Sequence, residues 1–208
     1  MFRIERWGPA LRLVLAAAAG LAPSVAAQEA GWRVVGGASQ VWFGGGVTDT
    51  TGGGLRVSPT STVAWSVGAD HPVGGVRIGL GVSYLSAMLE IAGPGVRVVA
   101  EDTHLRQFEF AALVSVPLLR VGHGGAGLSL AAGPALDVWT ATGSSNRTRF
   151  GALAILQFAA PITPDLKLLA SAAGSVSGSP FEADELPVDF EPSTLRTGRV
   201  GFGVRYAF

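Results

Sequence analysis

Along most of this chain, large apolar residues alternate one by one with small, polar or charged ones. The last segment shows it most cleanly: Val200, Phe202, Val204, Tyr206 and Phe208 alternate with Arg199, Gly201, Gly203, Arg205 and Ala207. A period of two predicts a β-strand with two unlike faces. The same rule predicts strands over Leu166–Val176 and Phe150–Phe158, the second with a partly apolar second face. It predicts others over Leu128–Val138, Phe108–Val116, Val76–Tyr84 and Val63–Asp70. A first strand around Val34–Gly44 has an ambiguous register, which leaves the orientation of Trp42 open. In a water-soluble sheet the larger apolar set would turn to a core. In a membrane barrel the assignment inverts, with apolar residues facing lipid and small or charged ones facing the lumen.

These segments amount to about eight strands, each close to the roughly 9–11 residues that a tilted strand needs to cross a bilayer. The connections fall into two classes that take turns along the chain. His71–Gly75, Arg120–Gly125 and Pro161–Asp165 are compact and carry Gly or Pro, as tight turns require. Between them lie longer, more polar stretches at Val47–Ser61, Glu90–Thr103, Ala141–Thr148 and Ser179–Leu195. Short turns on one rim and long loops on the other describe an all-β, eight-stranded, antiparallel up-and-down transmembrane barrel.

The first residues read as an export leader rather than as part of the fold. Arg3, Arg6 and Arg12 flank the start, an apolar stretch runs from Leu13 to Leu21, and Val25-Ala26-Ala27 offers small residues to a signal peptidase. Residues 1–27 are therefore assigned to a signal peptide and 28–208 to the barrel. The apolar stretch is well short of the about 20 residues of a spanning helix, and Pro23 interrupts it. No later window is long and apolar enough for one, so residence in a membrane has to rest on strands.

Composition fits this reading. Charged residues are only 14%, mean hydropathy is +0.41 and there are 30 glycines, an unusual combination without helical spans. A formal net charge of +0 removes the basic field that nucleic-acid binding requires. With no cysteine, disulfides and thiolate chemistry are excluded.

The ending Val200-Gly-Phe-Gly-Val-Arg-Tyr-Ala-Phe208 resembles the terminal strand recognised by the outer-membrane barrel assembly machinery, with Phe202, Val204, Tyr206 and Phe208 as the signal. Strand count, leader and loop alternation make the chain similar to the OmpA/OmpX-type small barrels. That resemblance implies insertion into the bacterial outer membrane after export through the periplasm, both termini in the periplasm, and long loops outside the cell.

Within such a barrel, Arg77, Glu109, Asp137, Lys167, Arg199 and Arg205 fall on lumen faces, where unpaired charge is costly, and are expected to pair with one another. A lumen of eight strands is just wide enough to be filled by its side chains, so a salt-bridged plug is expected. Trp65, Tyr84, Trp139, Tyr206 and Phe208 are expected to form an aromatic girdle at the membrane boundary. Glu182, Asp184, Glu185, Asp189 and Glu191 in the fourth loop are weak candidates for a divalent cation, though their spacing matches no EF-hand. No cofactor is expected.

For catalysis, His104 is the one histidine on the outer rim, with Glu101 or Asp102 to orient it and Ser86 as a nucleophile; His71 and His123 fall in short turns. Asn146-Arg147-Thr148 is a chance glycosylation match in a bacterial envelope. Gly44–Gly46 and Gly52–Gly54 lack the Lys and helix of a phosphate loop. The expectation is a non-enzymatic, monomeric outer-membrane protein with a structural, adhesive or surface-interaction role. Its partners are outer-membrane lipid and lipopolysaccharide, the assembly machinery during biogenesis, and an extracellular partner at the loops. The alternative is a narrow pore for ions or small solutes; lipid A modification and a secreted lipocalin-like binder rank lower.

Overall fold

A computed structural model describes residues 31–121, 125–141 and 146–208; the signal peptide assigned to 1–27, and His123, lie outside them. Among the described residues nine strands form one antiparallel sheet: β1 (Arg33–Asp49), β2 (Arg56–Pro59), β3 (Thr62–Val73), β4 (Val76–Gly93), β5 (Val96–Val121), β6 (Ala126–Ala141), β7 (Arg147–Pro161), β8 (Leu166–Ser177) and β9 (Phe190–Ala207). Apart from β2 and β3, each strand pairs with the next in sequence, and β9 returns to β1 along a seam from Arg33↔Ala207 to Asp49↔Phe190. The sheet therefore closes. β2 and β3 both pair with β1 and β4, so together they make one stave with a break at Thr60 and Ser61, and the ring has eight staves. At the break Thr60 stays tied to β4, its amide donating to the Met88 carbonyl at 2.8 Å and its Oγ1 accepting from the Met88 amide at 3.0 Å.

The faces follow the period of two, and the apolar set points out. Along β9, Val200, Phe202, Val204 and Tyr206 are exposed while Thr197, Arg199, Gly201 and Arg205 are buried. On β1 and the residue before it, the outward rings of Trp42 and Trp32 stand about 33 Å apart along the strand, or about 25 Å along the membrane normal at a tilt of ~40°. That is the height of the apolar band of an outer-membrane barrel. The outward orientation also settles the ambiguous first strand, with Trp42 facing lipid. It excludes a lipocalin-like reading, in which the apolar faces would line the interior.

The rims differ from expectation in one respect. Two of the compact turns are as the sequence predicts: Gly74-Gly75 alone joins β3 to β4, with Gly74 at φ +61°, and residues 162–165 join β7 to β8. Two of the stretches expected to be loops are strand for much of their length. β1 continues to Asp49 and β2 takes Arg56–Pro59, while β4 and β5 run as a hairpin to Gly93 and Val96. These strands climb beyond the membrane wall, where backbone pairing needs no apolar face and so leaves only a weak pattern in the sequence.

The small residues are needed where strands approach closely. A Cβ at Gly133 of β6 would lie 1.9 Å from the Ala112 carbonyl oxygen of β5. Backbone cannot withdraw from that contact without parting the ladder. Gly133→Val is expected to lower severalfold the fraction that refolds into a heat-modifiable barrel, scored by the mobility shift on gels with and without boiling. Gly44→Val, with nothing within 4 Å of its Cβ, should refold like the parent.

Candidate functional site: the lumen and its outer closure

Eight staves leave an interior that the side chains divide into three levels. At the outer end Val41, Ala64, Leu85, Ala87, Leu105, Trp139 and Leu195 form a buried apolar cluster, with Phe43, Leu89, Ala141 and Phe181 packed against it. Trp139 is 2% exposed and meets Phe43 edge-on at 6.3 Å. Its assignment to the aromatic girdle is thus corrected. It has the parity of Asp137 on β6, and that parity aims it inward. Trp65, Tyr84, Tyr206 and Phe208 do point outward, and the register lines up Trp65, Tyr84 and Phe108 on three adjacent strands. The Tyr84 and Phe108 rings lie 4.9 Å apart.

The loop after β8 completes this closure. Arg147 and Arg149, at the outer end of β7, donate to the carbonyls of Pro180 and Ser179, each at 2.5 Å. Ser179 Oγ donates to the Gly46 carbonyl at 2.7 Å, which holds Phe181 over the cluster. Arg149 also ion-pairs with Glu182, and that hydrogen bond holds the Glu182 carboxyl below its ordinary range. Of the acids proposed for a cation, Glu182 is thus engaged by an arginine. Among the described residues no three His, Cys, Asp or Glu side chains gather closely enough to hold a metal ion.

Below the apolar cluster lies a polar layer. Arg199 of β9 grips Glu109 of β5 with two parallel bonds of 2.8 and 2.7 Å, and Ser83 of β4 joins both at 3.2 Å. Both charged partners are buried, at 8% and 3% exposure. A fork-to-carboxylate contact of this kind is among the strongest polar links a protein makes. Asp137 sits directly across the ladder from Glu109. Its Oδ1, both side-chain amide atoms of Gln107 and the Trp139 Nε1 have no hydrogen-bond partner among the described residues.

All six charged residues assigned to the lumen from the sequence are buried there. Among the described residues, one of the expected mutual pairs forms. Glu109 and Arg199 pair. Arg77 instead binds Asp70 and the Gly31 carbonyl, and Arg33 binds the same Asp70 in two bonds of 2.8 and 3.0 Å. Lys167 donates to the Gly125 carbonyl at 3.3 Å, and Arg205 to the Gln157 side chain. Asp70 and Arg33 were missed as site residues, although Asp70 shares the parity of Ser66 and Gly68 on the lumen face.

The catalytic candidates stand elsewhere. Ser86 and His104 lie on the outer part of β4 and β5, with Ser86 opposite Arg106 and His104 opposite Met88. They are diagonal neighbours across the ladder, a relation that puts their backbones roughly 7–8 Å apart.

Removing one partner of a buried ion pair leaves a desolvated charge, at a cost of about 3–5 kcal/mol, whereas replacing both with apolar groups is close to neutral. Glu109→Ala is therefore expected to lower the urea midpoint of the refolded barrel markedly. The double substitution Glu109→Leu/Arg199→Met should recover most of that loss. Equal midpoints for Glu109→Ala and the parent would show that the bridge contributes little.

No family model matches the chain, and no curated protein matches it in sequence. Solved structures do match in three dimensions. Neisserial surface protein A superposes with a TM-score of 0.58 at 15% identity, covering 86% of this chain and 98% of that one. The outer membrane protein OprG from Pseudomonas aeruginosa superposes with a TM-score of 0.57 at 9% identity, covering 87% and 98%. At these identities the likeness is one of fold, and the fold is that of the small outer-membrane β-barrels.

Proposed function

We propose that the protein is a closed, non-enzymatic outer-membrane barrel whose working surface is the set of strands and loops that rise above the membrane. The observation that carries this reading is the filled outer half of the lumen. A cluster with Trp139 at its centre, Phe181 latched over it and the Glu109–Arg199 bridge beneath it occupy the route that a pore would use. Water and ions have little reason to enter an apolar plug of this kind.

The projecting surface is rigid in build. β4 and β5 extend past the barrel as a hairpin braced by β2, with Arg97 bonded to Glu90 at 2.8 and 2.9 Å. Val96, Val98 and Val99 are exposed on it. Exposed valines on a paired strand are a surface suited to a protein partner. In this reading the wall contacts outer-membrane lipid, the outer rim meets lipopolysaccharide, and the outward row Phe202, Val204, Tyr206 and Phe208 engages the assembly machinery during insertion. The barrel acts as a monomer, without cofactor.

Recordings in planar bilayers test the closure. The refolded mature chain is expected to show no sustained conductance steps; uniform steps that scale with salt would establish the narrow pore instead. Trimming the β4–β5 hairpin between Ile91 and Val98 to a short turn should preserve the heat-dependent gel shift. It should also remove any surface binding that cells gain by displaying the intact protein, and retained binding would place the working surface elsewhere.

A further inference from the structure

Beneath the polar layer the two halves of the ring turn unlike faces to the lumen. Four neighbouring staves, made by β9, β1, the β2–β3 stave and β4, present Gly203, Gly37, Gly68 and Gly81, so this half is little more than backbone. The facing half presents Leu113 of β5, Leu153 and Ile155 of β7 and Leu169 of β8. Between the two walls lies a cavity of about 190 Å³. Leu153 packs with Ala111 and Ala135, and Leu113 and Ile155 lie against that cluster, which holds the apolar wall in place.

The Glu109–Arg199 bridge borders the same space. Arg199 directs both terminal nitrogens to Glu109. Its Nε, on a residue 8% exposed, has no hydrogen-bond partner among the described residues. A buried N–H of this kind calls for an acceptor.

Size and chemistry narrow what would fit. An apolar cavity of about 150 Å³ is enough to hold benzene, so the space here is that of a single ring. A sugar would set several hydroxyls against leucine, and a free ion would lose its hydration against the same wall; both are costly. A flat ring instead lies between glycine backbone on one side and aliphatic side chains on the other. A guanidinium at the cavity border adds cation–π attraction.

We propose that this middle level of the lumen is a binding site for a small aromatic molecule carrying one oxygen acceptor, of the size and chemistry of a phenol. The ring fills the slot between the glycine and leucine walls, and the oxygen accepts from Arg199 Nε. The apolar plug closes the outer approach, so exchange runs through the lower lumen, with which this level shares Ser115 and Ser129. The site lies below the plug and does not depend on the role of the β4–β5 hairpin.

The test uses the mature chain refolded in detergent micelles and titrated with para-fluorophenol, followed by fluorine NMR and by the methyl signals of leucine and isoleucine. Micelles take up the probe in proportion to its concentration, whereas a site saturates. Saturable shifts are expected for Leu113, Leu153 and Ile155, while the outward Leu80 and Leu156 follow the micelle alone. Gly81→Leu sends a side chain into the cavity from a position where a Cβ meets nothing closer than the Val67 carbonyl oxygen at 3.9 Å. It should weaken binding about tenfold or more, since a filled cavity accepts a ring only by displacing its neighbours. If Gly81→Leu fails to give the heat-shifted band, Ala131→Leu on β6 takes its place. Gly44→Val, outside the cavity, should bind like the parent. Fluorobenzene, which lacks the oxygen, should bind about three- to tenfold more weakly, the worth of one hydrogen bond. Uptake that never saturates, or saturable binding that the cavity-filling variant leaves unchanged, overturns the proposal. Equal affinity for fluorobenzene overturns the role given to Arg199.

Discussion

Every feature of this molecule depends on the closure of its sheet. In hydrocarbon an unpaired backbone amide or carbonyl costs several kcal/mol, and a strand at the edge of an open sheet would leave a row of them. The β1–β9 seam removes that edge, from Arg33↔Ala207 to Asp49↔Phe190. Closure fixes in turn which face of each strand is which. Once the ring exists, alternate residues must meet lipid or lumen, and the alternation of Val, Phe and Tyr with Gly, Ser and Arg becomes a statement about two solvents. The inward glycines follow from the same constraint. Where β5 passes β6, the Ala112 carbonyl occupies the space that a Cβ on Gly133 would take.

The interior then has to be filled, and the two ends solve this differently. Large apolar residues crowd the outer end, where Trp139, Leu85, Leu105 and Leu195 are buried almost completely. Small residues dominate lower down: Gly37, Ser66, Gly68 and Gly203 leave a thin wall around open space. The Glu109–Arg199 bridge marks the transition. Its two parallel bonds join β5 to β9 across the barrel, so it cross-links staves that are not neighbours in the sheet.

The fold was legible in the sequence because a period of two needs no knowledge of partners. Strand identity, the outward direction of the apolar faces and the positions of the tight turns all follow from it. Trp139 shows how the same information is lost when residue type outweighs parity: it alternates in step with Asp137, and that spacing placed it in the lumen. The upper strands were hidden for another reason. Above the membrane both faces of β4 and β5 meet water or protein, so Glu90–Thr103 carries turn-like polarity without a lipid face to impose alternation. The pairings of the lumen charges were not legible at all. Parity shows that Asp70 and Arg77 both face inward, but whether Arg77 meets Asp70 or Glu109 depends on the stagger of the ladder, which only the closed ring fixes.

The asymmetry of the lumen bears on how the barrel would respond to load. Dense apolar packing resists compression, and each side chain there touches several staves, so the outer half behaves as a solid core. The lower half has cavities walled by small residues. Local opening is drawn from regions with few buried apolar contacts. It is therefore expected at the periplasmic end, leaving the outer closure and the hairpin above it in place. A barrel built to display a surface gains from this arrangement, because the projecting β4–β5 hairpin stands on the part of the wall least able to breathe. A barrel built to conduct would need its weak point on the outer side as well, and there Phe181, Trp139 and the two arginines of β7 provide the opposite.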